Sequence, residues 1–97
     1  MAKKIIWSLR AIQERKEIYS YWLQRNMSEI YSNKLDHIFE AAAEFIATNP
    51  SLGRPTQKPN VRVKIVRDYF LIYEIQDDKL IVLTIWDNRR NPDKLVF

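Results

Sequence analysis

Apolar residues change their spacing once along this chain, near Pro50–Pro55. Upstream they recur at the helical period, and downstream they alternate. Lys3 to Trp7 reads as a short strand, and Ser8 is placed to cap a helix. Leu9 to about Arg25 reads as that helix, with Ile12, Ile18, Tyr19, Trp22 and Leu23 forming an imperfect apolar face. Asn26-Met27-Ser28 supplies a turn, and Ser28 is a second candidate cap. In the next segment Tyr31, Leu35, Ile38, Ala42 and Phe45 recur at spacings of 4, 3, 4 and 3, an apolar helical stripe. That helix must end before Asn49-Pro50. So short a connection makes the two helices an antiparallel hairpin.

Three strands come next. In Val61 to Val66, Val61, Val63 and Ile65 alternate with Arg62 and Lys64, which predicts one buried and one wet face. In Tyr69 to Ile75 both alternating sets are apolar, so this strand is expected at the sheet centre. In Leu80 to Trp86, Ile81, Leu83 and Ile85 are expected on one face and Leu80, Val82, Thr84 and Trp86 on the other. Arg67-Asp68 and Asp77-Asp78 mark tight hairpin turns. The predicted fold is α+β: a two-helix antiparallel hairpin packed on a mostly antiparallel sheet of about four strands, in the order β-α-α-β-β-β. A sheet covered on one side only leaves Phe70, Ile72, Val82 and Trp86, or their opposite numbers, partly exposed, and such a face needs a partner.

Between the two halves lies Asn49-Pro50-Ser51-Leu52-Gly53-Arg54-Pro55, which holds the chain's one glycine. Either the backbone needs a positive φ at Gly53 or there is no room for a Cβ. A second glycine and a following helix are both missing, so this is no phosphate-binding loop.

Composition narrows the function classes. Residues 1–97 fit a single domain with one modest core. At 46% hydrophobic residues the chain can fold, yet its apolar runs fall far short of a membrane span. The basic start leads into a charged helix and not into a signal-peptide core. With no cysteine, thiolate chemistry is excluded and a cytoplasmic setting is expected. With only one histidine besides, no metal site and no cofactor are expected. The net charge is +4, and residues 54–97 carry +3 of it. A basic surface suits nucleic acid or an acidic protein, and equally a solvated face.

Several side chains invite a chemical reading that a plainer one rivals. His37 lies off the apolar stripe and reads as solvent-exposed. Tyr69 and Tyr73 sit at strand spacing, where packing competes with general-acid chemistry. Trp7, Trp22 and Trp86 fit either a core or a partner groove. Glu14-Arg15-Lys16-Glu17 reads as a solvated helix face with local ion pairs. Arg89 and Arg90 have no evident structural need, since adjacent guanidiniums repel.

Three stretches carry a family resemblance: Asn49 to Pro55, then Val63-Lys64-Ile65-Val66-Arg67-Asp68-Tyr69-Phe70-Leu71-Ile72-Tyr73-Glu74-Ile75, then Ile81 to Pro92 with its Trp86-Asp87-Asn88-Arg89-Arg90 exit. In order and spacing the chain resembles toxins of the RelE/ParE superfamily from bacterial type II toxin–antitoxin pairs. The resemblance implies a small α+β fold, a cognate antitoxin that neutralises it, and a role in growth arrest or plasmid stabilisation. It implies one of two actions. The RelE branch cuts messenger RNA on the ribosome, and the ParE branch poisons DNA gyrase without catalysis.

Chemistry separates the branches. RNA cleavage needs a base, an acid and cations for the phosphorane. RelE-like enzymes resemble one another in carrying a mid-strand arginine, where this chain has Phe70, and often a histidine before the paired arginines, where it has Asp87. Its tail Asp93-Lys94-Leu95-Val96-Phe97 has no tyrosine. These departures favour the ParE branch, with target-binding residues Arg67, Arg89, Arg90 and Lys94 and antitoxin-binding residues Tyr19, Trp22, Phe70 and Trp86. The alternatives are an atypical ribonuclease using Lys64, Arg67, Asp87 and Arg89, and a decayed toxin that only binds its antitoxin.

Overall fold

A computed structural model describes residues 2–97. The elements are β1 (Lys4–Trp7), α1 (Leu9–Asn26), α2 (Ile30–Thr48), β2 (Arg54–Pro55), β3 (Val61–Val66), β4 (Tyr69–Gln76) and β5 (Lys79–Asp87). Short 3-10 turns at Pro50–Leu52 and Pro92–Lys94 complete the chain. The sheet has five strands in the order β1-β5-β4-β3-β2. β1 runs parallel to β5, and the other pairs are antiparallel. The strand beyond the expected four is β2, whose two residues pair Arg54 with Val63 and Pro55 with Arg62. Proline has no N–H to give a ladder, so β2 can lie only at an edge, and it ends at once.

Ser8 starts α1 as its sequence position predicts. Its hydroxyl accepts from Ala11 N at 3.0 Å and donates to Leu83 O at 2.8 Å, fastening the helix start to β5. Met27, at φ 50°, ends the helix in the left-handed region. Ser28 Oγ accepts from Ile30 N at 3.2 Å, but the residue at the N-cap of α2 is Glu29. The buried face of α2 is Ser32, Leu35, Phe39, Ala43, Ile46 and Ala47. The period matches the predicted stripe but the phase is rotated: Tyr31, Ile38 and Ala42 are half-buried, and Phe45 is 57% exposed. Ser32 admits this rotation because its hydroxyl donates to Tyr19 O at 2.7 Å, satisfying a polar group inside the helix pair. Ile12, placed on the apolar face of α1 by its spacing, is exposed.

The main core lies between the hairpin and the sheet. Leu35, Phe39 and Ile46 from α2 meet Tyr69, Leu71 and Tyr73 from β4 and Leu80, Val82 and Ile85 from β5. Ile85 joins Leu80 and Val82 in that core, against strict alternation, because the β4–β5 register shifts at Ile72/Tyr73. Opposite β5, Ile72 pairs with Thr84 and Tyr73 with Val82, leaving Leu83 as the extra residue. On β3 the apolar set is not uniformly covered: Val61 is buried, Val63 half-buried and Ile65 51% exposed. The register shift leaves Val82 on the helix side of the sheet, in the core. On the far face Ile72 is fully buried and Trp86 is 4% exposed, with the Arg90 guanidinium 4.0 Å from its ring centre. Phe70 and Ile81 on that face are half-buried.

Gly53 resolves in favour of space. Its φ is −74°, an ordinary value, but a Cβ there would lie 2.6 Å from Tyr73 Oη and 2.9 Å from Val63 O. Tyr73 Oη donates to Pro50 O at 2.7 Å and accepts from Gly53 N at 2.9 Å. The linker is thereby pinned to the central strand.

Candidate functional site

Where β5 leaves the sheet, its last residue organises a turn. Asp87 O accepts from Arg90 N at 3.0 Å, and Asp87 Oδ1 accepts from Arg89 N at 2.9 Å. The Arg89 guanidinium then grips the same carboxylate through Nε at 3.0 Å and Nη2 at 2.7 Å. Such a fork on a carboxylate is the strong form of the ion pair. Arg89 holds the Asp87 carboxyl below the usual carboxylate range despite its partial burial, and Asp87 in turn raises Arg89. Asn88 N donates to Asp68 O at 2.9 Å, bringing the β3–β4 turn to the same end. Arg67 in that turn, at φ 57°, therefore shares the end with Arg89 and Arg90. Lys94 comes after them, exposed, in the Pro92–Lys94 turn.

Beside this exit, a cleft of about 380 Å³ opens between α1 and β5. Glu14, Glu17, Ile18 and Tyr21 form its helix wall, Tyr69 and Ile85 its floor, and Asp87, Arg89 and Arg90 its mouth. Glu14 is fully engaged by structure. It accepts from Thr84 Oγ1 at 2.7 Å, from Ile85 N at 3.0 Å and from Arg10 Nε at 3.3 Å. It thus fills the irregularity in β5 that the register shift creates. Tyr69 Oη accepts from Trp22 Nε1 at 2.9 Å, and burial raises its pKa above the ordinary tyrosine value. In this cleft Asp87 is moved down and Tyr69 and Arg89 up, each away from neutrality.

The other candidates are dispersed. Lys64 and Phe70 line a separate groove with Leu52, Arg54 and Ile65, so Lys64 shares no cleft with Asp87 and Arg89. Tyr73 serves the linker. His37 is exposed on α2, and its Nδ1 lies 2.8 Å from Asn33 O. Tyr19 Oη donates to Asn33 Oδ1 at 2.7 Å, and Trp22 packs edge-on to Tyr31 with ring centres 4.9 Å apart. Trp86 lies beneath Arg90, and its Nε1 is buried without a hydrogen-bond partner among the described residues. Trp7 lies under Arg15, 4.5 Å from the guanidinium to the ring centre. Arg15 also bridges to Asp36 at 2.7 Å and Glu40 at 3.1 Å on α2. So half of Glu14-Arg15-Lys16-Glu17 is a structural clamp, not a solvated face. Glu14 and Tyr21 escaped sequence reasoning. A signal existed for Glu14, which stands between Ala11 and Ile18 on the inward face of α1.

Among the described residues, no His, Asp or Glu group is arranged to hold a metal ion, and no helix is long and apolar enough to cross a membrane. No curated protein matches the chain. A chromosomal ParDE system from P. aeruginosa contains a chain of similar structure, with a TM-score of 0.76 and 16% identity, over 89% of this chain and 96% of that one. The E. coli DinJ-YafQ toxin-antitoxin complex contains another, with a TM-score of 0.52 and 18% identity, over 92% and 96%. At these identities the likeness is one of fold. The family described as ParE toxin of type II toxin-antitoxin system, parDE, matches residues 5–92. With that match spanning both helices and the sheet through the arginine exit, the chain belongs to the ParE toxin family.

Proposed function

We propose that the chain arrests growth without catalysing a reaction, by binding DNA gyrase in the cytoplasm, and that a cognate antitoxin neutralises it. The observation that carries this reading is the state of Asp87. It is the carboxylate of the arginine exit itself, and Arg89 grips it with two side-chain bonds and one backbone bond. Held ionised and low, it is a poor proton carrier near neutral pH. Arginine cannot fill that role, since it stays protonated. What the exit does offer is positive charge on a hydrogen-bonded turn, from the edge of Arg89 that Asp87 leaves free and from the Arg90 guanidinium over Trp86, and such charge suits carboxylates of a protein surface.

An antitoxin partner is supported by family membership and by the two structural relatives, one from a ParDE system and one from a toxin-antitoxin complex. Apolar side chains remain open to such a partner. Ile30, Met27 and Tyr21 are exposed around the hairpin tip, near half-buried Trp22 and Tyr19. The test uses the purified chain in two parallel assays. Gyrase-dependent supercoiling should fall with added protein and recover when antitoxin is supplied. Messenger RNA on programmed ribosomes should stay intact. Cleavage of that RNA, lost in Asp87→Ala, would overturn the reading in favour of a ribonuclease.

A further inference from the structure

The sheet has a second buried layer, on the face turned away from the helices. Tyr69, Leu71 and Tyr73 of β4 enter the helix-side core, so Phe70 and Ile72 point the other way. Across from them, Trp86 pairs with Phe70 and Val63 with Ile72. Ile72 is fully buried and Trp86 is 4% exposed, yet neither belongs to the helix-side core. Arg90 covers the Trp86 ring. The indole Nε1 beneath it is buried with no hydrogen-bond partner among the described residues. This layer therefore encloses an unsatisfied donor, which is costly.

The segment after the Pro92–Lys94 turn is Leu95-Val96-Phe97, in which Leu95 and Phe97 are half-buried and Val96 is exposed. It is fastened from two sides of the sheet. Arg10, on the helix whose start is tied to β5, donates to Val96 O. Lys58, in the loop between β2 and β3, donates to Phe97 O, and its Nζ lies 5.3 Å from the Phe97 ring centre. Glu14 steadies Arg10 through an ion pair of 3.3 Å. Both fastenings are exposed, and exposed charged contacts add little stability. Three residues also bury little apolar surface, so such a segment opens at far lower cost than the fold. The unpartnered indole N–H lowers that cost again, because water reaches it only when the layer opens.

We infer that Leu95–Phe97 is a strap over the far face of the sheet, which opens as a unit and, while closed, withholds Trp86 from the target. The turn before it keeps its own bonds, Asp93 N to Asn91 Oδ1 at 3.0 Å and Leu95 N to Pro92 O at 3.0 Å, and serves as the hinge. With the strap closed, the exit of β5 presents charge alone. With the strap open, an indole N–H donor and the apolar side chains of Phe70 and Ile72 join Arg90 on one surface. This regulation rests on the exit being the target-binding surface. A target that binds only the open form has its apparent affinity scaled by the open fraction.

The experiment follows indole N–H exchange in the full chain by NMR. Trp22 is the internal reference, since its Nε1 donates to Tyr69 Oη at 2.9 Å. In the parent the Trp86 indole should exchange about tenfold faster than that of Trp22, or more, because only a local opening is needed. Lys58→Ala, alone and combined with Phe97→Ala, should speed Trp86 further. The Trp22 indole and the Leu71 and Leu80 amides should keep their rates, and the circular dichroism spectrum should be unchanged. Inhibition of gyrase supercoiling should strengthen by the same factor as Trp86 exchange, since both read the open fraction. It should do so even though Lys58→Ala removes a positive charge. Trp86 exchange that ignores both variants, or that rises only together with the Leu71 and Leu80 amides, overturns the strap. Faster Trp86 exchange with supercoiling inhibition no stronger than the parent's overturns the gating. If neither parent nor variant inhibits supercoiling, the gyrase reading falls and the exchange rates decide the strap by themselves.

Discussion

The Tyr73 hydroxyl does two jobs at once, donating to Pro50 O and accepting from Gly53 N, and both partners are backbone. Gly53 is glycine because that hydroxyl and Val63 O crowd the space a Cβ would take. Gly53→Ala should therefore destabilise the fold by about 1–3 kcal/mol, the scale of an overpacked interior. Urea unfolding of parent and variant measures it. In the Gly53→Ala, Tyr73→Phe double variant the nearest clashing atom is gone, so the two losses should sum to more than the double variant shows. Strict additivity would mean that Val63 O, the second close atom, sets the strain. Glycine's uniqueness in the chain was legible, and so was the pair of explanations for it. Which one applies depends on a tyrosine twenty positions away, which no local pattern reveals.

Glu14 works at the scale of elements. An irregular strand leaves backbone groups without a ladder partner, and here a carboxylate from α1 takes Ile85 N–H and the Thr84 hydroxyl. Helix and strand are joined by this contact as well as by apolar packing. Glu14→Ala orphans two donors on a buried stretch and should cost about 2–3 kcal/mol, since hydrogen bonds to charged groups are the stronger kind. Glu14→Gln keeps one acceptor and should lose less. Thermal unfolding ranks the three proteins, and a neutral Glu14→Ala would show that β5 repairs itself. The same irregularity explains where strand reading failed. Alternation put Ile85 opposite Leu80 and Val82, whereas the core takes all three together. The shifted groups are satisfied by a side chain on another element, which a period of two does not contain. On α2 the failure was one of phase only. Ala41, Ala42 and Ala43 allow two neighbouring apolar stripes, and the buried Ser32 bond to Tyr19 O decides between them. Periodicity located both helices and all three long strands; it missed β2, whose two residues carry no period.

At the scale of the whole molecule, the cations along β3 and those at the exit of β5 have different surroundings. Those along β3 have no acidic neighbours among the described residues of the groove they border. Those at the exit of β5 share their cleft with Glu14, Glu17 and Asp87. The paired arginines were visible in the sequence as residues with no structural duty, but the structure gives each a different one. Arg89 is fixed by Asp87, on an exposed turn, away from the core. Arg90 lies over Trp86 and shields a ring that is otherwise interior. The two alanine variants should therefore part company. Arg89→Ala should leave unfolding within about 0.5 kcal/mol of the parent, as exposed pairs do. Its Asp87 carboxyl should titrate closer to the ordinary carboxylate range, because the hydrogen bond that lowered it is gone. Arg90→Ala removes a cation–π contact worth about 0.5–2 kcal/mol and wets the indole. Tryptophan fluorescence should shift to the red in Arg90→Ala and stay in place in Arg89→Ala. If the exit of β5 is the target-binding surface, Arg89→Ala should abolish growth arrest while its melting curve and its affinity for antitoxin match the parent's. Full toxicity in Arg89→Ala would move target recognition to another surface, and the groove beside Ile65 would be the next to test.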